Sequence, residues 1–326
     1  MLESLILAIV GIVLLPAGSH ILVNGAVAMS ERLGVSALVV AVTVVAFGTS
    51  LPELVVSLRA ALAGSTAISV GNVVGSNIAN ILLILGVTAL IKPIISEPGE
   101  NRRESLIMLG VTAVMVLIVM SGEIPRWEGA VMVALLAAFV IQSYWRDRTH
   151  PEEAREHLEE VEEYETLKDR TWLVIIGAVV LGLVGVLAGA HLLVTGAVDI
   201  ARTLGVSEEV IGLTLVAIGT SLPELAVCGA AAIKNKPEVA IGNVLGSNIF
   251  NILAILGITA MVVPIQIPDQ ILSFDLWTMV AVSILAVPLL LRRDGMGRTA
   301  GLAFLIAYAA YTTVQYVGVS RLMGVA

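Results

Sequence analysis

The chain has 326 residues, of which 58% are hydrophobic and 13% charged, and its mean hydropathy is +0.98. A soluble protein usually carries about a quarter charged residues, so this composition excludes an ordinary cytosolic enzyme and a disordered chain. The net charge of -8 leaves no basic surface for phosphates, which excludes a nucleic-acid partner. The single cysteine, Cys228, lies in an apolar run, where we expect a small buried packing residue.

Ten apolar runs are long enough to cross a bilayer, which requires about 20 mostly apolar residues per helix. They predict an all-α polytopic membrane protein with ten transmembrane helices. Spans 1 to 10 cover, in chain order, residues 4–24, 36–62, 68–91, 105–121, 128–145, 172–198, 208–233, 239–263, 274–291 and 299–317. No basic segment precedes the first run, so we expect a retained helix rather than a cleaved signal peptide.

The two halves of the chain are copies of each other. Residues 20–87 align with residues 191–258 without a gap, at a constant offset of 171 positions, and 37 of the 68 aligned residues are identical. This degree of identity indicates an internal duplication. Because each copy contains an odd number of spans, the second enters the membrane from the opposite side, which predicts two inverted-topology five-helix repeats.

A polar segment at residues 146–170 separates the first five spans from the last five. The segment holds ten acidic residues but lacks the regular ligand spacing of a calcium-binding loop, so we expect a solvated linker, with cation sensing as the alternative. The predicted organisation is a first repeat at 1–145, this acidic linker, and a second, inverted repeat at 171–326.

The lysines and arginines predict the orientation in the cell membrane. If the N-terminus is outside, 14 of the 18 basic residues fall in cytoplasmic loops and four fall outside. By the positive-inside rule, both termini then lie outside and loop 146–170 is cytoplasmic.

Spans 2 and 7 share the motif Gly-Thr-Ser-Leu-Pro-Glu. Pro52 and Pro223 interrupt the backbone hydrogen bonds of the two helices. The freed carbonyls, near Ala46, Thr49, Ala217 and Thr220, should therefore face a polar group, for which a cation is the best candidate. Glu53 and Glu224 follow the prolines, and a charge at this depth costs at least about 3 kcal/mol. The repeat relates the two acids, which suggests one shared site.

Spans 3 and 8 carry the repeated pattern Gly-Asn-x-x-Gly-Ser-Asn-x-x-Asn. Ser76 and Asn80 are four residues apart, as are Ser247 and Asn251, so each pair shares one helix face. We expect these four residues to line the site. For the remaining asparagines of the motif, helix-to-helix hydrogen bonding is the favoured interpretation: Asn72, Asn77, Asn243 and Asn248.

The motifs provide carboxylates, hydroxyls, amide oxygens and carbonyls, and no thiolate or imidazole. A site built only from oxygen suits a hard cation such as calcium. His20 and His191 are repeat-related but lie on spans 1 and 6, where we interpret them as helix-packing residues, with a proton-linked role as the alternative.

These motifs resemble the alpha repeats of the cation/calcium exchanger superfamily, in particular the sodium/calcium exchangers and their prokaryotic relatives. The resemblance covers residues 43–86 and 214–257. It implies a secondary antiporter that exchanges sodium for calcium by alternating access, in which spans 1 and 6 slide against the other helices. No cofactor is implied, because Ca2+ and Na+ are the transported ions, and the oligomeric state stays open.

The resemblance also implies roles for individual residues. Glu53 and Glu224 would be the central calcium ligands and would also bind sodium, and the carbonyls of Thr49 and Thr220 would complete the calcium site. The flanking sodium sites would comprise the Ala46 and Ala217 carbonyls with Ser50, Ser76, Ser221 and Ser247. Asn80 and Asn251 would line the centre, and because neither is an acid, no potassium requirement is expected.

Three alternatives remain open from the residues. A proton/calcium or broader divalent-cation antiporter would use the same glutamates, with H+ as the counter-ion. A cation channel fits an inverted repeat less well than a carrier does. An intramembrane enzyme is disfavoured because the sequence contains neither a nucleophile paired with a base nor a zinc motif.

Overall fold

The computed structural model is mostly helical and describes residues 2–95, 101–149, 170–204 and 217–317. Two short antiparallel strands are β1 (Glu123–Ile124) and β2 (Ile265–Gln266). The helices, in chain order, are α1 (Leu2–Leu33), α2 (Ala37–Thr49), α3 (Leu51–Leu62), α4 (Thr66–Ile91), α5 (Arg102–Val119), α6 (Arg126–Thr149), α7 (Trp172–Thr203), α8 (Ala217–Thr220), α9 (Leu222–Ile233), α10 (Pro237–Val262), α11 (Ile271–Leu290) and α12 (Arg298–Val317).

The predicted apolar runs fall on helix over most of their described residues. The exceptions are the breaks at Ser50 and Ser221 and a few end residues, at positions 36, 120–121, 263 and 291. Residues 208–216 of span 7 and residues 150–169 of the acidic linker lie outside the described residues. Among the described residues, six helices are each long and apolar enough to cross a membrane. Helices α2 and α3 together make a seventh candidate span, which is bent by 45° at Ser50.

The chain forms two compact units. The first comprises Met1–Thr49 and Ser143–Asn243, and the second comprises Ser50–Gln142 and Val244–Ala326. Each unit contains helices from both halves of the sequence. The division into repeats at 1–145 and 171–326 concerns the ancestry of the sequence and stays a prediction.

A glycine seam joins α1 and α7 in the first unit. A methyl group at Gly11 would lie 2.5 Å from the backbone nitrogen of Leu193, and one at Gly182 would lie 2.5 Å from that of Leu22. Only glycine permits two backbones to approach so closely. The seam glycines recur every seven residues, which is two helical turns, at Gly11, Gly18 and Gly25 and at Gly182, Gly189 and Gly196.

The register of this seam is constant. Gly11 meets Leu193, Gly18 meets Val186, Gly25 meets Val179 and Gly182 meets Leu22, and the two numbers of each of these pairs add up to 204. The same register continues to the end of the helices, where the Arg32 guanidinium lies 5.6 Å from the centre of the Trp172 ring. Helices α1 and α7 therefore run antiparallel, although they occupy equivalent positions in the two halves of the sequence.

In the second unit, two helix pairs are arranged alike. At Gly86 on α4, a methyl group would lie 3.1 Å from the carbonyl oxygen of Gly301 on α12. At Gly257 on α10, the repeat equivalent of Gly86, a methyl group would lie 3.1 Å from the carbonyl oxygen of Gly129 on α6. Both pairs are extended by backbone pairing, between Ile94 and Met296 and between β1 and β2.

Four helices in the described part of the chain contain a π-helical segment, in which the turn is wider than in an α-helix. Two of these segments begin at repeat-related asparagines, at Asn80–Ile84 in α4 and Asn251–Leu256 in α10. The others are Ala41–Val45 in α2 and Ile271–Asp275 in α11. Wide turns of this kind are frequent at functional sites.

The glycine seam predicts how α7 responds to an added methyl group. Gly182→Ala should lower the thermal stability of the purified protein by about 1–3 kcal/mol, because the new carbon overlaps the backbone of Leu22. Gly177→Ala on the same helix is the control, because nothing lies within 4 Å of its added carbon. Equal melting temperatures for the two variants would contradict the close packing of the seam.

Candidate functional site

The helix breaks in the two Pro-Glu motifs have the same geometry. Ser50 precedes α3 with φ −85° and ψ 6°, and Ser221 precedes α9 with φ −90° and ψ 1°. Pro52 and Pro223 follow two residues later and have no N–H to continue the preceding helix. The same local sequence thus ends one helix and begins the next in both halves.

Glu53 and Glu224 lie in the first turns of α3 and α9, immediately after these breaks. Their exposed fractions are 2% and 1%, so both carboxyl groups are removed from solvent. The N-terminus of a helix favours a nearby negative charge, but by less than the cost of burying one. These positions are therefore suited to a carboxylate that binds a cation.

In the first unit, a chain of hydrogen bonds connects α2, α9 and α10. Thr49 Oγ1 donates to the Asn243 Oδ1 atom at 3.3 Å and also lies 3.3 Å from the Ala46 carbonyl oxygen. Asn243 Nδ2 donates to Cys228 Sγ at 3.3 Å. Cys228 Sγ lies 3.5 Å from the Ala240 carbonyl oxygen. Asn243 thus holds the end of α2 against α9, the interhelical role expected for it.

The other predicted site residues of the second half that belong to the first unit lie on α8, on α9 and at the break between these helices. Helix α9, which carries Glu224, contacts the Ala46–Thr49 end of α2. Ser221 is buried and Thr220 is half-buried. Ala217 is the first residue of α8, and its backbone alone is described.

In the second unit, Asn72 fixes the backbone of α3. Its Nδ2 donates to the Glu53 carbonyl oxygen at 3.2 Å and to Ser57 Oγ at 3.0 Å. Ser57 is the repeat equivalent of Cys228, and Asn72 is the equivalent of Asn243. Both halves therefore use an asparagine of the Gly-Asn motif to hold the helix that carries the glutamate.

A second set of amides joins α4, α5 and α10. Asn80 Nδ2 donates to Asn248 Oδ1 at 3.0 Å, and Asn248 Nδ2 donates to Met108 Sδ at 3.6 Å. Asn77 is the repeat equivalent of Asn248, yet its buried Oδ1 and Nδ2 atoms have no hydrogen-bond partner among the described residues. Equivalent asparagines thus occupy different environments.

The second unit brings several predicted residues together. Helix α3 and the first half of α4 both pack against the π-helical segment that begins at Asn251. Ser247 Oγ and Asn251 Oδ1 are buried without a hydrogen-bond partner in the described part of the chain. The predicted residues buried in this unit are Ser50, Glu53, Ser76, Asn80, Ser247 and Asn251.

Each unit thus supplies one buried glutamate and a surrounding set of neutral oxygen atoms. Among the described residues, no cluster of three or more His, Cys, Asp or Glu side chains could hold a metal ion. Hydroxyl, amide and carbonyl oxygens accompany the carboxylates, and such ligands suit calcium and sodium better than transition metals.

The packing role expected for the two histidines is wrong. His20 and His191 are both exposed, because they lie off the glycine seam of α1 and α7. A ring nitrogen of His20 lies 3.4 Å from Lys234 Nζ, which also donates to Asn24 Oδ1 at 2.5 Å. Burial lowers the pKa of Lys234, and the nearby charge of Lys236 lowers it further.

Three residues whose side chains form hydrogen bonds inside the protein were not predicted from the sequence. Ser57 could have been found from the repeat offset, which pairs it with Cys228. Asp275 could have been found as an acid inside the apolar run 274–291. Met108 offers no such signal, because a methionine in an apolar span is ordinary.

The family model described as "Sodium/calcium exchanger protein" matches residues 3–145 and 174–317. The chain is 38% identical to the putative antiporter CaxA of Alkalimonas amylolytica, with 95% of this chain and 98% of the relative covered. It is 32% identical to the sodium/calcium exchanger MaX1 of Methanosarcina acetivorans, with 96% and 98% covered.

The fold is similar to solved structures of the sodium-calcium exchanger NCX_Mj. One of these, soaked with 2.5 mM Na+ and 1 mM Sr2+, superposes with a TM-score of 0.81 at 32% sequence identity. The alignment covers 96% of this chain and 98% of that one. The similarity therefore extends over nearly the whole molecule.

The hydrogen bond between Asn243 and Cys228 predicts a difference between two substitutions. Cys228→Ser should preserve stability, since the other half has Ser57 at the equivalent position. Cys228→Val should lower stability by about 1–3 kcal/mol, because it leaves the buried Asn243 amide without its acceptor. Thermal unfolding of the purified protein measures both effects, and equal losses would show that the hydrogen bond is unimportant.

Proposed function

This chain belongs to the sodium/calcium exchanger family, and we propose that it exchanges sodium for calcium across the membrane by alternating access. The family comprises cation antiporters, so a catalytic activity is not part of the proposal. The observation that carries it is the burial of two repeat-related glutamates, Glu53 and Glu224, each in the first helical turn after an equivalent helix break.

The proposed calcium ligands are the carboxylates of Glu53 and Glu224 and the carbonyls of Thr49 and Thr220. Their pairing is inferred from the repeat, which relates each residue of one half to a residue of the other. The proposed sodium ligands and lining residues are Ala46, Ser50, Ser76, Asn80, Ala217, Ser221, Ser247 and Asn251.

Ten transmembrane helices in two inverted repeats form the proposed architecture. Helices α1 and α7 support this arrangement, because they are equivalent in sequence and antiparallel in the fold. The distribution of Lys and Arg supports termini outside and a cytoplasmic acidic loop. Movement of α1 and α7 as one closely packed pair would then open the site to one side at a time.

Charge explains why such a carrier would cross the membrane loaded. Two ionised glutamates carry a charge of −2, which one calcium ion cancels. Two buried carboxylates without a cation are costly inside the membrane, and this disfavours the empty carrier in transit. Because sodium and calcium use the same oxygens, the two ions compete, and exchange becomes obligatory.

A proton/calcium antiporter is the second candidate. The buried glutamates could each accept a proton in place of sodium, and the contact between His20 and Lys234 provides a titratable pair on α1 and α9. The Gly-Thr-Ser-Leu-Pro-Glu motif favours sodium, because proton/calcium exchangers usually have a Gly-Asn-x-x-Glu pattern at this position.

Calcium uptake into sodium-loaded proteoliposomes tests the proposal. Dilution into sodium-free buffer should drive uptake, and Glu53→Gln should reduce it about 100-fold, since replacing one buried charged ligand costs about 3 kcal/mol. Glu123→Gln, which changes an exposed acid, should leave uptake unchanged. Uptake driven by a pH gradient alone, without sodium, would identify the proton antiporter instead.

Membrane potential provides an independent prediction. We expect three sodium ions to leave for each calcium ion that enters, so one net positive charge leaves the vesicle in each cycle. An inside-positive potential should therefore accelerate calcium uptake, and an inside-negative potential should slow it. A voltage-sensitive dye and imposed ion gradients measure this, and rates independent of voltage would indicate electroneutral exchange.

The proposed ion selectivity also predicts that calcium uptake into the same vesicles does not require potassium. Because Asn80 and Asn251 are neutral, replacing potassium by choline on both sides should not change the rate of sodium-driven uptake. A requirement for potassium would contradict the proposed ion selectivity.

A further inference from the structure

Asp275 is a buried carboxylate that lies outside the residues proposed for the transported ions. It ends the π-helical segment Ile271–Asp275 at the start of α11, and its exposed fraction is 3%. Two other π-helical segments of this protein begin at the site residues Asn80 and Asn251. Asp275 therefore lies in a π-helical segment, as those two asparagines do.

Three neutral side chains surround the carboxylate. Tyr311 OH donates to Asp275 Oδ1 at 3.1 Å, and Gln270 Nε2 donates to Oδ2 at 3.3 Å. Gln315 Nε2 also donates to Oδ1, and the Gln315 Oε1 atom accepts from Gln270 Nε2 at 2.9 Å. These contacts orient the carboxylate and bring four oxygen-bearing side chains together.

No cationic side chain in the described part of the chain compensates this charge. Neither a lysine nor an arginine there forms an ion pair with Asp275. Neutral donors stabilise an anion but do not cancel its charge, and burying an ionised carboxylate without a counter-charge is unfavourable. A bound cation would remove this cost.

A cavity of about 350 Å³ lies beside the cluster. Asp275, Gln270, Tyr311 and Gln315 form its polar side, and residues of α4 such as Ile68 and Val74 form the apolar side. Gln270 is exposed, so the cluster is accessible from the surface. The cavity therefore has room for a cation that keeps part of its hydration shell.

The chemistry of the cluster selects the class of cation. All its potential ligands are oxygens, which favours a hard ion. A single carboxylate balances one positive charge, whereas a divalent ion would leave an excess charge beside an apolar wall. We propose that Asp275, Gln270, Tyr311 and Gln315 form a second cation site, which binds one monovalent ion such as sodium.

The position of this site gives it a route to the transport residues. Gly71 on α4 lines the cavity, and the adjacent Asn72 donates to the carbonyl oxygen of Glu53. A cation at Asp275 would therefore bind against the helix that holds the Glu53 backbone. An effect of the site on transport rests on the proposed function, but binding of the ion does not.

Direct binding of ²²Na+ to the purified full-length protein in calcium-free detergent tests the site. Asp275→Asn should lower saturation binding by about one ion per chain, in line with the single charge that it removes. Asp269→Asn is the matched control, because it removes an exposed acid from the segment just before α11 and should leave binding unchanged. Equal binding by wild type and Asp275→Asn would overturn the proposal, as would equal losses in both variants.

A second variant addresses the possibility that Asp275→Asn does not fold. Tyr311→Phe keeps the carboxylate and removes one hydrogen bond, so it should weaken sodium affinity while the number of bound ions stays the same. If Tyr311→Phe lowers the melting temperature equally with and without sodium and leaves affinity unchanged, the cluster is a structural clamp and the proposal is wrong.

Glu53→Gln separates this site from the proposed transport site. In the same binding assay, Glu53→Gln should retain the sodium component that Asp275→Asn removes. If Glu53→Gln also loses this bound sodium, the two sites are not separate and the proposal is wrong. If the protein shows no sodium-driven calcium uptake but still binds the sodium that depends on Asp275, the proposed function is rejected and the second site is retained.

Discussion

The structure depends on the placement of carboxylates inside a molecule that has few opposite charges. Glu53 and Glu224 are almost completely buried, and burying an ionised group costs several kcal/mol. The chain places each glutamate after a proline, where the helix begins and its first N–H groups are not bonded within the helix. Asn72 and Asn243 then form hydrogen bonds that hold neighbouring helices together next to each glutamate.

The two halves are similar in sequence but differ in their hydrogen bonds. Asn248 bonds to Asn80 and Met108, whereas its equivalent, Asn77, has no such bonds among the described residues. Ser57 and Cys228 show the same kind of difference in chemistry at one position. Equivalent positions of the two copies of the repeated sequence therefore have different hydrogen-bond partners in this structure.

Much of the fold could be predicted because it follows from short-range patterns. Apolar length locates the helices, and the proline in each Pro-Glu motif locates the breaks at Ser50 and Ser221. The division into two units could not be predicted, because it depends on which faces of distant helices meet. The exposure of His20 has the same cause, since the glycine seam determines which face of α1 is buried. The ligand roles of the site residues rest on motif and repeat and stay a prediction.

The glycine seam between α1 and α7 has a consequence for the origin of the molecule. Seam glycines such as Gly11 and Gly182 meet a residue whose number adds up with theirs to 204, and the six glycines of the seven-residue series form three pairs that are 171 positions apart. Such a contact has the form of an isologous interface, in which two copies of one chain use the same surface patch. Two copies of a five-helix ancestor could have formed this interface as a symmetric dimer. One substitution to glycine would then have changed both sides of the interface at once. Gene fusion frees the two sides to change separately, as Gly185 and its counterpart Leu14 now illustrate.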